Sequence, residues 1–371
     1  MGVYRAEVIG SLLRPPALLE ARRTWQTGEL SDEAFKRIED SAVDQAIAIQ
    51  EAAGVDVVTD GELRRNTFIG PLTDTVEGLG PVPQVIGAQR LWQESDRASH
   101  PTPPQQQAPF AVVGKLRRRR SLVAEEFVYL RARAKKPVKA TLPSPLMLAL
   151  LWSPVYSADA YPDPFRLFAD AAGILRDEIA ELKALGCTYI QIDAPELATL
   201  VDATTRAKAY AEQGVSPDRL LGEGVDLLNA VADTPGVTFG LHLCRGNNAG
   251  KWMASGGYDF IAHQVFRRAT RYSVLALEYD DRRSGDFSAL AEVPDDKIVV
   301  LGLVSTKSDV LESPNELIAR IEEAARYVPR DRLALSTQCG FASVLAGNPI
   351  AWATQRAKLG LVAEVAHQIW S

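Results

Sequence analysis

The alternation of short apolar segments with amphipathic ones is the feature that most constrains how this chain can fold. Eight segments have the composition of buried strands, and helix-like stretches separate most of them. This alternation predicts parallel strands, because a crossover helix must return the chain to the same end of the sheet. Eight such units close into a barrel, so the expected fold class is α/β, a (β/α)8 TIM barrel. The predicted strands cover residues 3–11, 55–60, 139–145, 187–193, 237–244, 273–279, 297–304 and 332–339.

A doubly wound open sheet is the alternative architecture for the same alternation. Such sheets usually carry a glycine-rich dinucleotide-binding turn after their first strand. Here the first strand leads into Ile9-Gly10-Ser11-Leu12-Leu13-Arg14, which lacks the Gly-x-Gly-x-x-Gly spacing. The barrel is therefore favoured.

Residues 67–136 interrupt the alternation. Seven prolines and a run of three glutamines fall within this stretch. We interpret it as an insertion between the second and third barrel strands, inside a single domain that spans residues 1–371. Short strands are expected near residues 82–86 and 110–116, followed by a helix near 123–134.

Composition excludes several classes of protein. A formal net charge of −6 does not suit a nucleic-acid-binding protein. No apolar stretch approaches the ~18 residues that a membrane span requires, and the N-terminus has no apolar signal core. Three cysteines do not suggest a secreted disulfide scaffold. We therefore expect a cytoplasmic protein with free thiols and with no nucleic-acid or membrane partner. A homo-oligomer is compatible with the sequence.

Polar side chains cluster where the predicted strands end. In a (β/α)8 barrel, the active site lies at the carboxyl ends of the strands. Several of these side chains are costly to bury without partners, so their shared position indicates a functional site. In chain order they are Ser11, Asp60, Glu62, Ser144, Asp193, His242, Cys244, Glu278, Lys307 and Cys339.

A metal centre is predicted within this set. His242 and Cys244 are two residues apart, so they point to the same face of a strand. Imidazole and thiolate together favour zinc, and Glu278 and Cys339 could complete a tetrahedral site. A carboxylate is a comparatively labile ligand, which suggests exchange with a substrate. The expected incoming ligand is a thiol, since bound zinc favours its thiolate form.

At these residues the sequence resembles the catalytic C-terminal barrel of the cobalamin-independent methionine synthase family. His242-x-Cys244, Glu278 and Cys339 match the zinc ligands of that family in chain order. The resemblance implies a Zn²⁺ cofactor. It also implies two small-molecule substrates, a thiol such as homocysteine and a methyl or alkyl donor.

The same resemblance implies roles for residues that bind substrate. Ile9-Gly10-Ser11 is similar to the segment that holds the carboxylate of the amino acid. Glu62 lies in a Gly-Glu-x-x-Arg-Asn stretch whose glutamate contacts that substrate, and Asp193 matches the aspartate that holds its amino group. Trp152 and Ser153 resemble the pair beside the folate. The implied substrate-binding residues are Ile9, Ser11, Glu62 and Asp193, and the implied donor-binding residues are Trp152 and Ser153.

Departures from the family pattern leave the substrates open. The family usually has Asp-Glu-Pro-Ala where this chain has Asp193-Ala194-Pro195-Glu196, and no counterpart of the second, N-terminal barrel of the full-length enzymes occurs in these residues. The loop at 245–252 is typical of short, single-barrel relatives, which include enzymes that open epoxides with coenzyme M. On the strength of the family resemblance, we nevertheless expect zinc-dependent methylation of homocysteine to methionine. The first alternative is alkyl transfer to another thiol, as in an epoxyalkane:coenzyme M transferase. The second is a metal-free decarboxylase of the related porphyrin superfamily.

Overall fold

Seven parallel strands form the centre of the molecule. The computed structural model describes residues 3–84, 91–93 and 110–370. The strands of the sheet are β1 (Ala6–Glu7), β4 (Ala140–Pro143), β5 (Tyr189–Asp193), β6 (Thr238–Leu243), β7 (Val274–Glu278), β8 (Ile298–Val304) and β9 (Leu333–Thr337), while β2 (Val76–Pro81) and β3 (Phe110–Arg118) form a separate hairpin. The sheet follows the order β1-β9-β8-β7-β6-β5-β4, and every neighbouring pair is parallel.

Residues 57 and 58 connect the two edges of this sheet. Val57 forms a parallel bridge with Glu7 of β1, and Val58 forms one with Val138 just before β4. The expected barrel arrangement is thereby confirmed. The predicted second strand, 55–60, is wrong in its length, because only these two residues pair. The side chain of Gln50 accepts the Thr59 N–H at 2.9 Å and so replaces the ladder partner that a longer strand would need.

Helices surround the strands, and their ends follow the expected sequence signals. Ser31 caps the helix Asp32–Ala53 by accepting the Ala34 N–H, and Gly54 ends it in the left-handed conformation with φ of 91°. The helix that follows β8 begins at Pro314. The α-helices of at least four residues in the described part are Pro16–Gln26, Asp32–Ala53, Gly70–Thr73, Ala124–Arg133, Pro164–Ala184, Pro195–Ala198, Val225–Val231, Asp259–Val265, Pro314–Ala324 and Trp352–Trp370.

The predicted insertion contains the antiparallel hairpin β2–β3 and the helix Ala124–Arg133. The strand expected at 110–116 is present and extends to residue 118. The strand expected near 82–86 is wrong in its described part, since β2 ends at Pro81, and its last two positions lie outside the described residues. Gln93 pairs with Trp252 on the loop after β6, so this excursion reaches the carboxyl ends of the strands.

Apolar side chains fill both the barrel interior and the layer between strands and helices. The interior cluster is small and consists of Ile9, Val274, Ala276, Val300 and Ala334. A much larger cluster lies between the strands and the surrounding helices. No helix in the described part of the chain is long and apolar enough to cross a membrane.

Candidate active site

Three potential metal ligands meet at the carboxyl ends of the strands. His242 lies near the end of β6, Cys244 follows that strand, and Cys339 lies two residues beyond β9. The two sulfur atoms are 3.8 Å apart. One ligand atom from each residue lies within 4.8 Å of the other two, and all three side chains are buried. The fold thus brings together Cys244 and Cys339, which are 95 positions apart in the sequence, as the sequence analysis predicted.

The orientation of the His242 ring suits a metal. Its Nδ1 lies 3.3 Å from the carbonyl oxygen of Ala276, and its buried Nε2 has no hydrogen-bond partner among the residues that the structure describes. A proton on Nδ1 would leave the Nε2 lone pair available, which is the usual arrangement for a histidine ligand. One nitrogen and two sulfurs at this spacing fit Zn²⁺.

The pKa values of the two thiols are shifted in opposite directions. The two sulfurs lie within hydrogen-bonding distance of each other, and this contact holds the pKa of Cys339 well below its ordinary value. The same contact, together with burial, raises the pKa of Cys244. A cation bound here would stabilise both sulfurs as thiolates.

Glu278, the fourth predicted ligand, does not belong to this close group. Its Oε1 accepts hydrogen bonds from Arg283 at 2.7 Å and from Lys307 at 3.0 Å, and its Oε2 accepts the Arg245 N–H. Burial opposes ionisation, but Lys307 and Arg283 hold the pKa of this carboxyl well below its ordinary value. The carboxylate is charged and fully engaged by cations and a backbone donor.

Asp280 and Arg283 are site residues that the sequence analysis missed. Asp280 accepts a hydrogen bond from Ser305 at 2.7 Å and lies 3.5 Å from Lys307. The signal that could have found them is the run of four charged residues after the sixth predicted strand, Asp280-Asp281-Arg282-Arg283.

Glu62 is buried in a strained backbone conformation. It has φ of 55°, which is uncommon for a residue other than glycine. Its Oε1 accepts a hydrogen bond from Thr141 at 2.7 Å and lies 3.4 Å from Arg65, while its Oε2 has no partner in the described part of the chain. Burial raises the pKa of Glu62 to about 7, an effect that Arg65 opposes and that the nearby charge of Asp193 reinforces. An unpartnered carboxylate oxygen is available for a ligand.

Asp193 ends β5 directly opposite His242 in the parallel register. Its Oδ1 accepts a hydrogen bond from Gln191 at 2.7 Å. Burial raises the pKa of Asp193, an effect that His242 opposes. The charge of Asp193 also contributes to the raised pKa of Glu62, so the two carboxylates lie within electrostatic range of each other.

Ser11 lies against the loop that contains Cys339. The Phe341 N–H donates to the Ser11 carbonyl at 2.6 Å, and a Cβ added to Gly340 would lie 2.7 Å from the Ser11 hydroxyl oxygen. That hydroxyl is buried and has no partner in the structure. The Ile9 N–H donates to Thr337 at 3.2 Å, and its side chain belongs to the barrel interior.

Trp152 and Ser153 are packed into the protein. The Trp152 ring belongs to the main hydrophobic cluster, and its N–H donates to the Tyr161 carbonyl at 3.0 Å. Ser153 accepts the Val155 N–H at 3.2 Å through its hydroxyl. In this structure both polar groups are occupied by neighbours in the chain.

The fold and the site define an α/β barrel with a buried histidine–thiol group at the carboxyl ends of its strands. This chain belongs to the family of cobalamin-independent synthase catalytic domains, whose family model matches residues 5–368.

Relatives with known sequences cover nearly the whole chain. It is 34% identical to the uncharacterised protein YxjG of Bacillus subtilis over 99% of this chain and 95% of that one. It is 26% identical to the methionine synthase of Pyrococcus abyssi over 91% of this chain and 86% of that one.

Solved structures show the same fold. A B12-independent methionine synthase from a Shewanella species aligns with a TM-score of 0.77 at 20% identity, over 99% of this chain and 98% of that one. A putative B12-independent methionine synthase from Listeria monocytogenes aligns with a TM-score of 0.73 at 25% identity, over 100% of this chain and 99% of that one.

Proposed function

We propose that this protein is a zinc-dependent S-methyltransferase that methylates homocysteine to methionine. The observation that carries the proposal is the buried group of His242, Cys244 and Cys339, in a chain that belongs to the cobalamin-independent synthase family. A metal-free decarboxylase would have no need to bring two thiols and a free imidazole nitrogen together.

His242, Cys244 and Cys339 would hold the zinc, and the family resemblance adds Glu278 as a candidate fourth ligand. When bound, zinc lowers the pKa of an incoming thiol and holds it as a thiolate nucleophile. The paired cysteines must remain reduced for this role, because their sulfurs are only 3.8 Å apart. This requirement supports a reducing compartment such as the cytoplasm.

Glu62 and Asp193 would hold the ammonium group of the amino acid. Both carboxylates are buried, and Glu62 has one oxygen without a partner. Ser11, with an unpartnered hydroxyl beside the Cys339 loop, would bind the substrate carboxylate together with the backbone near Ile9. The Shewanella relative is described in complex with selenomethionine, an analogue of the proposed product, which supports an amino-acid site.

In the proposed reaction, the sulfur of the substrate attacks the methyl carbon of the donor. The S–C bond forms as the bond between that carbon and the leaving group breaks. The leaving group departs with the electron pair and accepts a proton. The donor would approach from the side of Trp152 and Ser153. Because both side chains are packed against neighbours in this structure, they would have to move to expose a binding surface for the donor.

The test is methionine formation from homocysteine by zinc-loaded protein, with several methyl donors assayed in parallel. We expect turnover with at least one donor, and loss of turnover after zinc removal and recovery after zinc return. Transfer to coenzyme M instead of homocysteine would replace the proposed acceptor with that of the alkyl-transferase alternative. Full activity without zinc would contradict the proposal.

A further inference from the structure

Arg65 lies between two carboxylates and is held mainly by one of them. Its Nε and Nη2 donate to the Oε2 of Glu126 at 2.9 and 2.8 Å. Its Nη1 lies 3.4 Å from the Oε1 of Glu62, which is longer than an ordinary hydrogen bond of about 2.9 Å. The hydroxyl and the carbonyl of Thr141 accept further hydrogen bonds from it at 3.1 and 3.0 Å. The closer acidic partner of this guanidinium is therefore Glu126.

Glu126 is fixed in place by a helix of the predicted insertion. This helix, Ala124–Arg133, begins where the buried carboxylate of Glu178 accepts the N–H groups of residues 122–124 at 2.7 to 3.0 Å. The side chain of Glu126 is 14% exposed, whereas its neighbour Glu125 faces solvent. The helix thus presents one of its two adjacent carboxylates to the guanidinium.

The unpartnered oxygen of Glu62 depends on this arrangement. Its Oε1 accepts the Thr141 hydroxyl at 2.7 Å, and its buried Oε2 has no partner in the part of the chain that the structure describes. Arginine favours a fork in which two of its N–H groups donate to both oxygens of one carboxylate. Arg65 is close enough to Glu62 to form that fork, but Glu126 occupies its Nε and Nη2. A fork on Glu62 would take the oxygen that a ligand needs.

The charges of the group lead to the same conclusion. Burial opposes the charge of Arg65, but the surrounding carboxylates, Glu126 foremost, hold its pKa above the ordinary value, so the guanidinium stays charged. One guanidinium between Glu62 and Glu126 leaves one negative charge uncompensated among these three side chains. If Glu126 were neutral, Arg65 and Glu62 would compensate each other, and the attraction for a cation would fall.

We propose that Glu126 is a positioning residue that draws Arg65 away from Glu62 and so keeps the second oxygen of Glu62 open for the ammonium group of the amino-acid substrate. This inference rests on the proposed function, in which Glu62 binds that ammonium. Glu126 acts through Arg65 and not by contact with the substrate. The helix Ala124–Arg133 thereby takes part in binding the methyl acceptor.

The experiment measures by calorimetry how zinc-loaded protein binds two thiols, homocysteine and γ-mercaptobutanoate, which is homocysteine without its amino group. It is done at pH 8, above the pKa of about 7 that burial gives to both Glu62 and Glu126. We expect Glu126→Gln to weaken homocysteine binding about tenfold or more and to leave γ-mercaptobutanoate within about twofold of wild type. Glu125→Gln, at the exposed neighbouring position of the same helix, is the matched control and should leave both affinities unchanged.

A double-mutant cycle tests the part played by Arg65. In the Arg65→Met background no fork can form, so adding Glu126→Gln should change homocysteine affinity by less than about threefold. Equal losses for both thiols, equal losses in both backgrounds, or unchanged homocysteine binding in Glu126→Gln would overturn the inference and leave the proposed function intact. Wild type that binds homocysteine no better than γ-mercaptobutanoate would instead overturn the proposed ammonium site, and the inference with it.

If Glu126→Gln does not fold, a crystal structure of wild type with zinc and homocysteine decides. An oxygen of Glu62 about 3 Å from the ligand nitrogen, with Arg65 still bound to Glu126, would support the inference. A fork of Arg65 on both oxygens of Glu62 in that complex would refute it.

Discussion

Glu62 carries a charge that the fold buries at a cost, so Glu62→Gln is expected to stabilise the protein above neutral pH. Burial raises the pKa of Glu62 from 4.5 to about 7. That difference is worth about 3 kcal/mol, since one pKa unit corresponds to about 1.4 kcal/mol. Between these two pH values the folded state binds more protons than the unfolded state. The contribution of Glu62 to stability is therefore present below pH 4.5 and is lost as the pH rises through 7.

The amide in Glu62→Gln removes this cost and keeps an oxygen for the Thr141 hydroxyl. Arg65 retains Glu126, whose carboxylate lies 2.8 Å away. Allowing about 1 kcal/mol for the weakened contacts, we expect about 2 kcal/mol of added stability at pH 8. With an unfolding entropy of roughly 2.1 cal/mol/K per residue, this added stability corresponds to an increase of about 3 °C in the melting temperature of a chain of this length.

The assay is denaturant unfolding of metal-free protein at pH 8 and at pH 4.5, where the advantage of Glu62→Gln is expected to vanish. Glu29→Gln, at an exposed position, is the control and should change the free energy of unfolding by less than about 0.5 kcal/mol at both pH values. A Glu62→Gln variant less stable than wild type at pH 8, or a difference independent of pH, would refute the reasoning. The same variant should bind homocysteine poorly, which is the trade-off expected at a functional site.

Three further predictions concern the metal, the acceptor and the donor. The variants Cys244→Ser and Cys339→Ser should each lose zinc and remain folded by circular dichroism, and full zinc occupancy in either of them would disprove the site. Cys187→Ser should keep its zinc, because Cys187 precedes β5 at the opposite end of the barrel. Asp193→Asn should raise the Michaelis constant for homocysteine without loss of zinc, with a cost of about 2–5 kcal/mol for truncating a buried charged contact; an unchanged constant would point to a different thiol. Turnover of methyltetrahydropteroyl-triglutamate should be weak beside that of a smaller or more activated donor, since Trp152 is packed in the core; efficient use of that folate, abolished in Trp152→Ala, would contradict this.

Much of the barrel could be predicted because its strands are buried on both faces. Strands β5 to β9 occur as short, nearly continuous apolar runs, which is the pattern of a parallel sheet covered by helices. The second strand could not be predicted in its true length. Its pairing is limited by a side-chain contact from Gln50, which no local pattern in residues 55–60 reveals.

The proximity of His242, Cys244 and Cys339 was predictable for a different reason. His242 and Cys244 are fixed relative to each other by strand geometry, and the barrel places Cys339 at the same end. The engagement of Glu278 was not predictable, because its partners Arg283 and Lys307 come from two different loops. Their meeting depends on the tertiary structure, not on sequence spacing.

Trp152 shows the same limit. The family resemblance implied that Trp152 lies beside a flat donor, and in this structure its ring lies in the hydrophobic core with its N–H bonded to Tyr161. A tryptophan in a loop gives no local signal that distinguishes a binding surface from a packed side chain.

The central claim is that this protein binds a thiol as its thiolate at a zinc held by His242, Cys244 and Cys339. The most direct measurement is the number of protons released when homocysteine binds zinc-loaded protein at pH 7, obtained by calorimetry in buffers of different ionisation enthalpy. The account predicts about one proton per site, because a free thiol with a pKa near 8.5 is mostly protonated at this pH. It also predicts no such release with metal-free protein or with Cys339→Ser. Binding of homocysteine without proton release, or equal release in the absence of zinc, would contradict the account.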